Sequence, residues 1–311
     1  MSDAAAWLDR ALAGERRALA RAITWIECRH GAIGAALAKR PVGRRDHGVG
    51  QPHVVGVTGP PGSGKSTFVD RLVTRARADG QRVAVVAVDP SSPFSGGSIL
   101  GDRVRMERHT GDDGVYIRSL SSRGHLGGLS AASAEVVDLF DAAGFDLVLV
   151  ETVGVGQSEL GIMEVADTVV VILTPESGDA VQAMKAGLLE IADVFVVNKS
   201  DRPGADRLAR ELARAVALDD GPWRPEVRKT VARDGDGVDA VVDATRAHLA
   251  WCVGEGRERW NQRRAAARVR LYLDLVAEKA RRRAEDALDA ATREALGDGE
   301  LDPHALAHDH E

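Results

Sequence analysis

The sequence predicts an α/β fold: a mostly parallel sheet flanked by helices, preceded by a helical segment and followed by a helical arm. Three observations carry this expectation. Short β-branched runs alternate with helix-capable stretches through the middle of the chain. A glycine-rich turn stands between the first such run and the first such stretch. Both ends of the chain are dominated by Ala, Leu, Arg and Glu.

Residues 4–39 carry no proline, and Trp7, Leu8, Leu12, Leu19, Ile23 and Ile26 fall at spacings that suit one helix face or a helical hairpin. Pro41 and the Gly/Arg-rich stretch to Pro52 read as a linker, so a first helical segment is placed at 1–45. Strand-like runs follow at Val54–Thr58, Val83–Val88, Val115–Ser119, Leu147–Glu151, Thr168–Thr174 and Val194–Asn198. Helical stretches separate most of them, among them Ser66–Ala78, Ser130–Ala143 and Asp179–Ile191. Continuous apolar runs suit strands covered on both faces, and strand–helix alternation brings neighbouring strands parallel. Residues 46–248 are therefore read as one α/β domain. Beyond Trp251, Val269, Leu273, Val276, Ala280, Ala284, Ala287 and Ala291 recur at steps of three or four, one helical stripe within an arm at 249–311. That stripe suits either packing on the chain's own domain or exchange with a second copy.

Composition narrows the function. The 311 residues carry a net charge of −6, against the basic footprint of a general nucleic-acid binder. Aromatics make up only 4%, too few for a base-stacking platform. Cys28 and Cys252 are the only cysteines and cannot build a disulfide scaffold. The start of the chain, MSDAAAWLDR, lacks a basic-then-apolar pattern, and the longest apolar runs are strand-sized. The expectation is a cytoplasmic protein with no membrane and no nucleic-acid partner.

The strongest motif is Gly59-Pro60-Pro61-Gly62-Ser63-Gly64-Lys65-Ser66-Thr67, which fits G-x-x-x-x-G-K-[ST] between a strand and a helix. Glycines let successive N–H groups converge on phosphates, and the helix N-terminus adds partial positive charge. Lys65 is expected on the β- and γ-phosphates and Ser66 on Mg²⁺. The base is read by a second turn, Asn198-Lys199-Ser200-Asp201, after a strand. An Asp carboxylate there accepts from guanine N1–H and the exocyclic amine. Adenine offers no such pair, and an orphaned polar group can cost ~10⁴ in discrimination. Val231-Ala232-Arg233, after another short strand, is placed to close over the guanine.

Acidic residues at strand ends complete the metal set: Asp89, Glu151, and Asp102 in a glycine-rich loop. Glu151-Thr-Val-Gly154 occupies the place of a D-x-x-G switch whose Gly154 N–H would sense the γ-phosphate, and Gln157 could orient water. Arg103 and Arg105 are read as a solvated helix face. Asp234-Gly-Asp236 lacks the glycine and closing glutamate of a calcium loop. Cys28-Arg-His30 is read as a packed cysteine beside a surface histidine.

The segments Thr58–Thr67, Val88-Asp-Pro-Ser-Ser92, Gly101-Asp-Arg103, Arg123-Gly-His-Leu-Gly-Gly-Leu129, Glu151–Glu159 and Asn198–Asp201 together resemble the MeaB/ArgK family of P-loop GTPases, the SIMIBI-class family of the methylmalonic aciduria type A protein. The resemblance covers the whole α/β domain. It implies a G-protein chaperone that gates adenosylcobalamin loading in an acyl-CoA mutase, uses GTP/GDP and Mg²⁺, and hydrolyses GTP slowly until the mutase binds. It also implies a homodimer through the C-terminal helices, Mg²⁺-side acids at Asp89, Asp102 and Glu151, and an additional switch at Pro175–Lys185 that includes Asp179 and Lys185. The alternatives are a nickel-delivery metallochaperone GTPase, which would need Cys/His clusters, and a kinase for a transport protein.

Overall fold

A computed structural model describes residues 2–28, 32–37, 39, 52–89, 106, 108–121, 131–152, 161–176, 187–218 and 220–308. The chain divides into two compact units, Met1–Arg264 and Ala265–Glu311.

Unit one opens with three helices, α1 (Ser2–Leu12), α2 (Arg16–Glu27) and α3 (Ala32–Leu37). Seven strands follow among the described residues: β1 (His53–Thr58), β2 (Val83–Asp89), β3 (Val115–Ser121), β4 (Leu147–Thr152), β5 (Thr168–Leu173), β6 (Val194–Val197) and β7 (Glu226–Lys229). They form one sheet in the order β3-β2-β4-β1-β5-β6-β7. Every ladder is parallel, so the expected mostly parallel sheet is parallel throughout. The helices between and after the strands are α4 (Lys65–Ala78), α5 (Ala131–Ala142), α6 (Leu188–Ile191), α7 (Ala205–Ala217) and α8 (Val238–Val253).

The two faces of the sheet own separate cores, because successive strand residues point to opposite sides. One core gathers Val54, Val86, Val148, Val150, Val169 and Phe195 with Leu8 and Ile23 of the first two helices and Phe140 of α5. The other gathers Val55, Val57, Leu149, Ile172 and Val196 with Phe68, Leu72 and Val73 of α4 and Val241 of α8. Burial on both faces is why the strands read as unbroken apolar runs. The N-terminal helices share the first of these cores. Cys28, expected to be packed, is exposed: it caps α2 one residue past Glu27, off the Leu19–Ile23–Ile26 stripe that faces the sheet.

At the N-terminal ends of the strands the polar groups are closed on one another. His248 of α8 bonds Thr168 Oγ1 through Nδ1 (2.9 Å) and lies 3.2 Å from Asp193 through Nε2. His53 reaches the same threonine hydroxyl at 2.8 Å. Asp193 also accepts from Val169 N (2.8 Å) and lies 3.5 Å from Arg263. Trp223 and Trp251 cover the imidazole at ring separations of 4.8 and 5.8 Å. Cys252 lies 3.5 Å from His248 Nε2, and burial pushes its thiol up to about 12.

The last helix of unit one, α9 (Arg257–Ala287), runs on into unit two, which continues with α10 (Ala290–Gly297) and α11 (Pro303–His308). Asp289 caps α10, accepting from Thr292 N at 2.8 Å. Within unit two, Val269, Tyr272, Leu273 and Val276 are 46–65% exposed and lie along one side of α9 at steps of three and four. Among the described residues no helix is long and apolar enough to cross a membrane.

Candidate functional site

The site lies at the C-terminal ends of β1, β4 and β6, where open parallel sheets present their loops to ligands. The turn from β1 into α4 depends on glycine at two positions. Gly59 has φ +140°, and a Cβ there would sit 2.1 Å from the Ile172 carbonyl of β5. Gly64 has φ +91°, and a Cβ would sit 2.5 Å from Asn198 Nδ2. The glycines therefore bring the turn against β5 and against the end of β6 at once. No side chain caps the N-terminus of α4, so its first N–H groups remain suited to an anion.

Lys65 is buried, and its ammonium donates to the carbonyls of Gly59 (2.8 Å) and Pro60 (3.1 Å). This arches the lysine over the turn. Ser66 Oγ donates to Glu151 Oε1 at 2.7 Å, with the glutamate 4% exposed at the end of β4. One residue on, Thr152 donates its hydroxyl to that of Thr58 (2.9 Å), which locks the ends of β4 and β1 together. Two hard oxygen donors, an alcohol and a carboxylate, thus meet at the first turn of α4. That donor set suits Mg²⁺.

Asn198 ties this cradle to the turn after β7. Its amide donates to Ser63 O (2.8 Å), while its carbonyl accepts from Thr230 Oγ1 (3.1 Å) and Ala232 N (3.0 Å). With 3% exposure it bonds groups 32 to 135 residues away in sequence. Lys199 takes φ +54°, the positive-φ residue other than glycine among those described, and lies 3.2 Å from Glu176. That backbone turn carries Asp201 to the exposed rim, where its charge acts on the exposed guanidinium of Arg233. The turn after β7 closes through Asp234 N and Gly235 N on Val231 O (2.9 and 3.0 Å). The phosphate turn, Asn198 and Val231–Arg233, far apart in sequence, are one connected cluster.

Of the remaining expected residues, Asp89 ends β2 with its backbone paired to Ser121, at the same sheet edge as Glu151. Asp102, Gly154, Gln157, Asp179 and Lys185 lie outside the described residues, as do Arg103, Arg105, His30 and the stretch 123–129. Sequence reading missed two groups. Asp70, one turn beyond Ser66, accepts from Arg108 (2.6 Å) and from His109 Nε2 (2.9 Å). Arg71 reaches across to the carbonyls of Ala232 and Arg233. Neither belongs to a motif, and their partners are 38 to 162 residues distant. The one signal was their place on the helix that follows the phosphate turn.

Comparison with known proteins identifies the family. GTPase ArgK of Escherichia coli K12 is 39% identical over 237 residues, 74% of this chain and 71% of that one. The mitochondrial methylmalonic aciduria type A homolog of Mus musculus is 38% identical over 248 residues, 75% of this chain and 60% of the mouse protein. A solved LAO/AO transport system kinase superposes over 100% of this chain and 97% of its own, with a TM-score of 0.69 and 26% identity. The family described as methylmalonyl Co-A mutase-associated GTPase MeaB matches residues 19–289. With a P-loop sheet and that match, the chain is a GTPase and belongs to the MeaB family.

Proposed function

We propose that this GTPase is a chaperone for an adenosylcobalamin-dependent acyl-CoA mutase, gating cofactor loading and protecting the loaded enzyme. The observation that carries the reading is the family match across residues 19–289, which includes every group of the connected cluster. The family description names a mutase association, and the mouse relative carries the name of a methylmalonic aciduria protein.

In this reading the Gly59–Thr67 turn grips the phosphates of GTP, and Lys65 turns from its loop carbonyls to the β- and γ-phosphates. Asp201 selects guanine, while Asn198 and the Val231–Arg233 turn hold the shape of the base pocket. Ser66 and Glu151, with Asp89 and Asp102 as the other expected acids, would hold Mg²⁺, which would neutralise charge on the phosphate oxygens. Gln157 orients the attacking water, and Gly154 senses the γ-phosphate. Asp179 and Lys185 pass that state to the mutase. The exposed stripe of Val269, Tyr272, Leu273 and Val276 supports a homodimer through the 249–311 arm. The location that fits is the cytoplasm.

The test is GTP turnover by the purified protein, alone and with a cobalamin mutase from the same organism. We expect slow turnover alone and acceleration of about tenfold or more on mixing, well within what completing a phosphoryl-transfer site supplies. Unchanged turnover with every such mutase overturns the chaperone reading and leaves the GTPase standing.

A further inference from the structure

Arg71 lies on α4, five residues beyond Ser66, and is half-buried. It takes no part in gripping phosphate in the reading above. Its guanidinium spans to the turn after β7, donating from Nε to Ala232 O at 3.1 Å and from Nη2 to Arg233 O. A planar fork engaging two consecutive carbonyls fixes both their spacing and their orientation, which a single point charge cannot do.

The same turn is held from the opposite side by Asn198, whose Oδ1 accepts from Ala232 N at 3.0 Å. Asn198 thus fixes the peptide between Val231 and Ala232 through its N–H. Arg71 fixes the next two peptides through their carbonyls. None of the three planes can rotate without breaking a clamp. A carbonyl that accepts from a cation also strengthens the N–H of its own peptide as a donor, so Arg71 polarises the Arg233 N–H. One helical turn further, Arg75 bonds Asp239 at 2.7 Å, tying α4 to the start of α8 beyond the turn.

We propose that Arg71 is a positioning residue for base selection: from the helix that carries the phosphate grip, it holds the Ala232–Arg233 backbone in the shape that receives the guanine edge. The inference rests on the guanine-nucleotide reading of the site. It also makes the phosphate helix and the base turn one mechanical unit, with Arg71 on the outer side and Asn198 on the inner.

The experiment is calorimetric binding of GDP, ADP and tripolyphosphate to the full chain and to Arg71→Met, Arg71→Lys and Arg75→Met. Tripolyphosphate probes the phosphate grip without a base. In Arg71→Met, GDP affinity should fall about tenfold, the worth of a lost charge-assisted clamp, while tripolyphosphate stays within about twofold. Arg71→Lys should fall between the two because an ammonium reaches one carbonyl. Arg75→Met, which touches only exposed carboxylates, should not change the ratio of GDP to tripolyphosphate affinity. GDP binding by Arg71→Met within twofold of the parent overturns the inference, and so does an equal loss for GDP and tripolyphosphate. Should Arg71→Met lack a cooperative melt, the lysine variant decides by the same ratio. A parent protein that binds ADP as tightly as GDP sinks the base reading itself and this inference with it. A parent that prefers GDP while Arg71→Met matches it sinks the inference alone.

Discussion

At the C-terminal ends of the strands, buried polar side chains bridge separate segments: Asn198 joins the Gly59–Thr67 turn to the turn after β7, and Ser66 joins α4 to β4. At the N-terminal ends the buried polar side chains instead close on one another, with His248, Thr168, His53 and Asp193 sharing contacts beneath two tryptophans. The first set holds loops in place and leaves Asp201 and Arg233 exposed at the rim. The second pairs polar groups within one edge, beside a small cavity lined by Trp223, Trp251 and Arg263. Burial pushes the Cys252 thiol up to about 12, which disfavours the thiolate near neutral pH.

The difference is testable at three strengths. The largest effect is expected from Lys65→Ala. It removes the ammonium from the phosphate turn and should reduce GTP turnover by about 100-fold or more, the scale of a lost transition-state donor. Single-turnover hydrolysis measures it, and near-normal hydrolysis would mean that the C-terminal edge is not the reacting edge.

Asn198→Ala comes next. It leaves Ser63 O and Ala232 N buried without their partner, which should cost about 3 kcal/mol of stability. Urea denaturation should show this as a lower midpoint with an unchanged slope. GDP affinity should fall in the same variant, because the phosphate and base turns lose their common tie. A variant that loses stability but keeps full GDP affinity would show that the two turns are positioned independently.

The smallest effect is at the N-terminal edge. Burial holds His248 below the ordinary histidine value of 6.5, opposed in part by Asp193 and Asp167 and reinforced by Arg263. Burial shifts His109 in the same direction. A histidine that is harder to protonate when folded means that the unfolded chain binds more protons below 6.5. Stability is then full above that value and declines as the pH falls through the window beneath it. Thermal melts from pH 8 to 5 should show that decline, and His248→Gln should flatten it. Its GTP turnover at pH 8 should stay within about twofold, since the site is at the other end of the strands. An unchanged slope in His248→Gln would assign the decline to His109.

Much of this was legible in advance because it is local. The glycine turn, its lysine and serine, and the strand before it occupy consecutive residues, so their geometry is a short-range consequence of backbone sterics. The same holds for Asn198–Asp201 after β6. The Arg71 clamp was not legible, since nothing in residues 68–74 refers to a turn some 160 positions later. Cys28 was misjudged for a related reason. Periodicity shows which side of a helix is apolar, but the point where α2 stops decides which side Cys28 takes.

The sequence alone determined where glycine must permit unusual backbone, which runs form strands covered on both faces, and which polar residues stand in the turns at the ends of those strands. These follow from sterics, periodicity and hydrogen-bonding chemistry within a few residues. The tertiary structure alone decided the strand order, the burial of α1 and α2 in the core of one sheet face, and the pairing of each buried polar group. Such pairing depends on which side chains are brought together once water is excluded, and a buried donor or acceptor then takes whatever partner the packing supplies.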